Sequence, residues 1–111
     1  MINKDRKVYA IDLDWTLCKG EFRGEWEPTP YLERIEKINS LYTKWNIILI
    51  YTARDPSFFV ATYAWLIKHW VKHHWINMSR KPWADIYLDD KAVFTNDFFE
   101  DDINTNLINN K

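Results

Sequence analysis

Two hydrophobic rhythms alternate along the chain. Short, nearly unbroken apolar runs are separated by stretches whose apolar residues recur every three to four positions. Lys7–Leu13 and Trp45–Tyr51 are runs of the first kind and read as parallel strands buried on both faces. Between them Leu32, Ile35, Ile38, Leu41 and Tyr42 keep the helical period to about Lys44. Thr29-Pro30 is expected to open that helix, because Pro is tolerated in a first turn. Asp55-Pro56-Ser57 marks the start of a second helix. Its inward stripe is read as Phe59, Tyr63, Leu66, Ile67 and Trp70, with His74 beyond a turn near Val71–His73. Trp75–Met78, Ala84–Leu88 and Ala92–Phe94 read as further strands, and Asp97–Leu107 as a terminal helix. Cys18–Pro30 carries Gly20, Gly24, Pro28 and Pro30 and reads as an irregular flap.

Strands alternating with helices predict a single Rossmann-like α/β domain over residues 1–111, with three αβα layers and a mostly parallel sheet. No linker or internal repeat divides it. The flap, about 18–30, leaves no room for a cap domain, and the Asn-rich tail, 104–111, is expected to fray. Ligands of such sheets bind beyond the carboxyl ends of the strands. Asp12, Thr52 and Asp89 all fall at or just past those ends.

Composition narrows the class. The chain is 47% hydrophobic with seven tryptophans, which argues against disorder. No apolar run reaches membrane-span length, and Met1–Lys7 is too polar for a signal peptide. One cysteine, Cys18, excludes an internal disulfide, so a reduced, cytoplasmic setting is expected. Cys18 itself reads as a small buried hydrophobe. The formal net charge of −1 gives no reason to expect nucleic acid as a partner. His69 and His73 stand one helical turn apart, but no Cys or carboxylate completes a zinc site. Trp45, Trp65, Trp70 and Trp75 read as core residues, whereas Trp15, Phe22 and Trp26 flank the candidate site.

The chemistry lies in Asp12-Leu13-Asp14-Trp15-Thr16, directly after the run Val8–Ile11. A buried strand ending in two carboxylates one residue apart delivers both into one small space, where they repel unless a cation or shared proton compensates. An oxygen-only site of this kind suits Mg²⁺. Asp89-Asp90 ends the run Ile86–Leu88 in the same way, so one metal site is expected from distant sequence. A carboxylate so placed can attack phosphorus, with a second acid serving the leaving oxygen and then water. Thr52 and Lys81 could bind the phosphate oxygens.

Asp12–Thr16, Thr52 within Ile50-Tyr51-Thr52-Ala53-Arg54, Lys81 and Asp89-Asp90 resemble, in order, the four motifs of the haloacid dehalogenase-like (HAD) hydrolases, most of which are Mg²⁺-dependent phosphatases. Ala61–Trp70 and Lys81–Val93 resemble small capless members associated with capsular polysaccharide and sugar-phosphate metabolism. The resemblance covers about Lys7 to Val93. It implies a HAD-like fold and hydrolysis of a small phosphomonoester, a sugar phosphate or similar metabolite, through an aspartyl phosphate. Asp12 would be nucleophile and metal ligand. Asp14 would be the general acid/base and a metal ligand through its backbone carbonyl. Thr52 would hold the phosphate and Lys81 would steady the transferring group. Asp90 would ligate Mg²⁺ directly and Asp89 through water, while Arg54 resembles a phosphate-binding arginine of some capless relatives.

Two positions depart from the family. Trp15 stands where Gly is usual, which predicts an indole at the site mouth, narrowing it or stacking on substrate. The spacing from Lys81 to Asp89 is short, and Arg80 could take the lysine's role. Without a cap, the site is either open or closed by a neighbouring subunit in a homo-oligomer. The alternatives are a nucleotide or polynucleotide-end phosphatase, to which the order Thr52-Ala53-Arg54 points, and a non-catalytic binding module on the same fold.

Overall fold

The computed structural model describes residues 6–20 and 27–90. The strands proposed at Ala92–Phe94, the helix at Asp97–Leu107 and the tail lie outside them. Four strands, β1 (Val8–Asp12), β4 (Ile47–Thr52), β5 (Trp75–Met78) and β6 (Ile86–Leu88), form one parallel sheet in the order β5-β4-β1-β6. Helices α1 (Leu32–Thr43) and α2 (Phe59–Lys68) flank it, each in a crossover between consecutive parallel strands. No described helix is long and apolar enough to cross a membrane.

Register sorts the side chains. Tyr9 pairs with Ile48 and Ile11 with Ile50, while Asp12 pairs with Tyr51. Because alternate residues point to opposite faces, Tyr9, Ile11, Ile48 and Ile50 share one face, and they are buried with Ile35, Ile38 and Leu41 of α1 and Trp65 and Leu66 of α2. Both crossovers step the same way along the sheet, and right-handed connections then place α1 and α2 on this one face. The other set on β4, Ile47, Leu49 and Tyr51, is half-buried, so the strand alternates and is not uniformly dry.

Three local readings change. Thr29-Pro30 does not open the helix: as β3 it pairs antiparallel with β2 (Cys18–Lys19), and α1 starts two residues later behind Tyr31. The two ends of the flap therefore pair in a short ladder, which its Gly and Pro content concealed, while residues 21–26 with Phe22 and Trp26 lie outside the described residues. Asp55 caps as expected, its carboxylate accepting from Ser57 N–H at 2.8 Å, but the first turn is a 3₁₀ turn, Pro56–Phe58.

The stripe of α2 is out of phase. Thr62, Trp65 and Leu66 are buried, whereas Phe59, Tyr63, Ile67 and Trp70 are exposed. Almost every α2 residue is apolar, so periodicity alone could not choose its face. Of the tryptophans read as core, only Trp65 is buried, with its indole N–H donating to Pro28 O at 2.9 Å. Trp45, Trp70 and Trp75 are 72%, 81% and 66% exposed. Trp45 and Trp70 each occupy the left-handed position just past a helix, at φ 73° and 59°, where Gly is usual. Asn46 N–H returns to Leu41 O and Val71 N–H to Leu66 O, closing both helix ends in the same way.

Candidate active site

β1 runs between β4 and β6, and its carboxyl end is extended by Leu13 N–H donating to Tyr51 O at 3.1 Å. The chain then folds back on itself. Leu13 O accepts from the N–H groups of Thr16, Leu17 and Cys18, and Trp15 N–H reaches Gly20 O. Leu13, Leu17 and Cys18 are fully buried and anchor this loop. Trp15 has φ 68°, which explains why a Gly suits the position and shows that Trp is held there at a strain cost. Its indole lies against Gly20, 3.9 Å from where a Cβ would stand, and is half exposed. Arg34 of α1 pins the loop by donating to Thr16 O at 3.0 Å, and its guanidinium lies over the Tyr31 ring.

The carboxyl ends of all four strands open into one cleft of about 1030 Å³. It is lined by Asp12, Asp14, Thr52, Arg54, Lys81, Asp89 and Asp90, together with Trp15, Tyr51, Ser79 and Arg80. Every site residue expected from the sequence is thus at this rim. Within it, Arg54 and Asp14 form a two-point fork: Nη2 to Oδ1 at 2.6 Å and Nε to Oδ2 at 3.1 Å. Thr52 Oγ1 donates to the same Oδ2 at 3.2 Å, and Arg54 Nη1 donates to buried Thr62 Oγ1 at 3.0 Å. The Arg54 side chain is 6% exposed and that of Asp14 20%. A desolvated fork of this kind fixes both groups far better than a surface pair.

Asp12 lies on the opposite sheet face from the helices, beside Tyr51. Its carboxyl is raised from the usual value to about 6, first by burial and then by the charges of Asp14, Asp89 and Asp90. Burial first, and then the Asp12 and Asp89 carboxylates, hold the Tyr51 phenol well above its usual range. Lys81 Nζ sits 4.6 Å from the Tyr87 ring centroid and 5.9 Å from that of Tyr51, a cation seated on aromatic faces at the cleft wall. Asp90 Oδ1 is 3.6 Å from Arg34 Nη1.

The donor set Asp12, Asp14, Asp89 and Asp90 is all oxygen, the chemistry of a hard-cation site, and the Asp12 carboxyl is raised first by burial and then by the charge of its acidic neighbours. Among the described residues, no three metal-binding side chains are gathered tightly enough to hold an ion. Asp14 is turned to Arg54, and Asp90 faces Arg34. The described histidines form no metal cluster either. Cys18 is buried, and burial pushes its thiol up to about 12, which leaves it inert.

Sequence reasoning missed Arg34, Thr62 and Ser79. Ser79 N–H donates to Thr52 O at 2.8 Å and its hydroxyl to Arg54 O at 3.1 Å, tying β5 to the end of β4. Thr62 left a trace, being the one aliphatic hydroxyl in a largely apolar helical stretch; Arg34 left none.

No family model and no curated protein matches the chain. Solved structures do. A conserved protein from Bacteroides thetaiotaomicron superposes with TM-score 0.72 at 18% identity, covering 96% of this chain and 93% of that one. A crystal structure of a Vibrio cholerae protein gives 0.64 at 26% identity, covering 95% and 99%. A chain of the Pnkp1/Rnl/Hen1 complex gives 0.59 at 12% identity, covering 95% of this chain but 35% of its own length. The parallel α/β fold is one that this chain shares with these proteins.

Proposed function

We propose that the chain is a Mg²⁺-dependent phosphomonoester hydrolase of the haloacid dehalogenase type, acting on a sugar phosphate or similar small metabolite. One observation carries the reading: seven side chains from four separate strand ends, Asp12, Asp14, Thr52, Arg54, Lys81, Asp89 and Asp90, line a single open cleft. The order of these residues and the fold shared with the solved structures support it.

Asp12 is the nucleophile. Its carboxylate attacks phosphorus, the bond to the leaving oxygen breaks, and an aspartyl phosphate results. Asp14 donates the proton to that oxygen and later takes one from the attacking water. Thr52 and Arg54 orient Asp14, and Lys81 and Arg54 offer positive charge to the phosphoryl oxygens. Asp12, Asp14 through its backbone carbonyl, Asp90 and Asp89 do not form a ready-made cluster and would have to draw together to hold Mg²⁺, which when bound would offset the charge on the transferring group. Trp15 at the mouth offers an indole face to the leaving group.

Incubation with an aryl phosphate and Mg²⁺ should release phosphate, and Asp12→Asn should lower turnover by roughly a thousandfold or more. Unchanged turnover in that variant, from protein freed of contaminating phosphatase, would remove the proposal. A panel of sugar phosphates set against a 3′-phosphorylated oligonucleotide then separates metabolite hydrolysis from end processing.

A further inference from the structure

At the opposite pole, where β1, β4 and β5 begin, lies a second cavity of about 230 Å³. Its lining includes Arg6, Tyr42, Trp45, Lys72 and His74, and among the described residues no carboxylate. It is firmly built. Lys7 N–H donates to Asn46 Oδ1 at 3.0 Å, and Lys72 N–H to Asn39 Oδ1 at 2.8 Å. His74 stacks on Tyr42 with ring centroids 4.6 Å apart and planes at 23°. Ile48 N–H donates to His74 Nδ1 at 3.0 Å, so the neutral ring carries its proton on Nε2 and remains a donor.

Three features of this pole have no structural use. Arg6 and Lys72 make no ion pair among the described residues; the nearby Asp85 instead accepts Val8 N–H at 2.7 Å. Lys44, next in sequence to Trp45, has a buried Nζ with no hydrogen-bond partner among the described residues. Trp45 itself is exposed, in a strained backbone conformation that Gly would adopt freely. Cations without acids call for an anion. Aromatic faces beside them call for a flat ring, which a simple anion lacks.

We propose that this cavity binds a nucleoside phosphate unit, free or as part of a single strand, with its phosphate on Arg6 and Lys72 and its base against Trp45 and the Tyr42–His74 stack. The site is separate from the acidic cleft and does not depend on the hydrolase reading.

Calorimetric titration of the full chain without divalent metal tests it, using adenosine monophosphate, adenosine, ribose 5-phosphate and a 5′-phosphorylated trinucleotide. Adenosine monophosphate should bind at least about fivefold tighter than either fragment, since stacking and charge act together. Trp45→Ala, Trp45→Asn and the double variant Arg6→Gln/Lys72→Gln should each weaken binding about fivefold or more. They should leave aryl phosphate hydrolysis unchanged. Lys81→Met, in the acidic cleft, should leave the binding intact. A trinucleotide tighter than the mononucleotide assigns the site to a strand, and equal affinities to a free nucleotide. No binding, fragments equal to the whole, or loss in Lys81→Met with retention in Trp45→Asn would overturn the proposal.

Discussion

At the carboxyl ends of the strands four aspartates share one open cleft, whereas at the amino ends of the same sheet Arg6, Lys72 and His74 line a cavity to which no described residue brings an acid. The two rims differ in how charge is handled. At the carboxyl rim, Arg54 and Asp14 are mutually satisfied and largely desolvated, and Asp12 is left with a raised proton affinity. At the amino rim Arg6 and Lys72 stay in water, where an unpaired charge costs little, while the Lys44 Nζ is buried. A formal net charge of −1 averages over these poles and hides both. Total charge is therefore a poor guide to what either end of this molecule can bind.

The sharpest contrast should come from breaking one charge at each rim. Arg54→Met takes the guanidinium away from the partly buried Asp14 carboxylate, which keeps the weaker bond from Thr52 Oγ1, and from the Thr62 hydroxyl, and should cost about 2–3 kcal/mol. Arg6→Gln should change stability by less than about 0.5 kcal/mol. Denaturant titration of both variants measures the difference; equal losses would show that the fork is no more desolvated than the amino rim.

Asp12 gives the next effect, with a sign fixed by its raised carboxyl. Between the ordinary value of 3.8 and about 6, the folded chain holds this proton more tightly than the unfolded one. Stability from this group is therefore lost as pH rises through that window, and the penalty is complete above it. Without metal, Asp12→Asn should be more stable than the parent at pH 7 by about 1–2 kcal/mol, allowing for solvent screening of a partly exposed group. The gain should vanish near pH 4, and Mg²⁺ should reverse the order by stabilising the parent alone. Thermal melts across pH, with and without Mg²⁺, would expose a flat difference if burial and the neighbouring carboxylates did not act on Asp12.

Smaller still is the backbone effect at the helix ends. Trp70→Gly relieves a left-handed backbone at an exposed side chain and should stabilise by about 0.5–1 kcal/mol. Trp45→Gly should gain a similar amount while losing the proposed nucleotide affinity, which separates strain kept for binding from strain kept for nothing. Destabilisation of both variants in melts would mean that the indoles pack more than their exposure implies.

The site was legible because its chemistry sits at strand ends, and strand ends are where apolar runs stop. Val8–Ile11 before Asp12, Ile47–Tyr51 before Thr52 and Ile86–Leu88 before Asp89 each announced a residue at the rim. The second rim was not legible, since Arg6, Trp45 and Lys72 are far apart in sequence and meet only through the register of β1, β4 and β5. The face of α2 was lost because it is apolar nearly all round. Trp45 and Trp70 suggest core because hydropathy cannot report φ, and Trp75 because it cannot report that β5 is an edge strand. Thr29-Pro30 misled because the same dipeptide suits a strand edge and a helix start.

Rapid acid quenching during turnover of an aryl phosphate with Mg²⁺, followed by mass analysis of peptides, tests the central claim most directly. The account predicts a phosphoryl group on the peptide that carries Asp12, absent in Asp12→Asn. Sustained phosphate release with that peptide unmodified, or with the label on another residue, would contradict it.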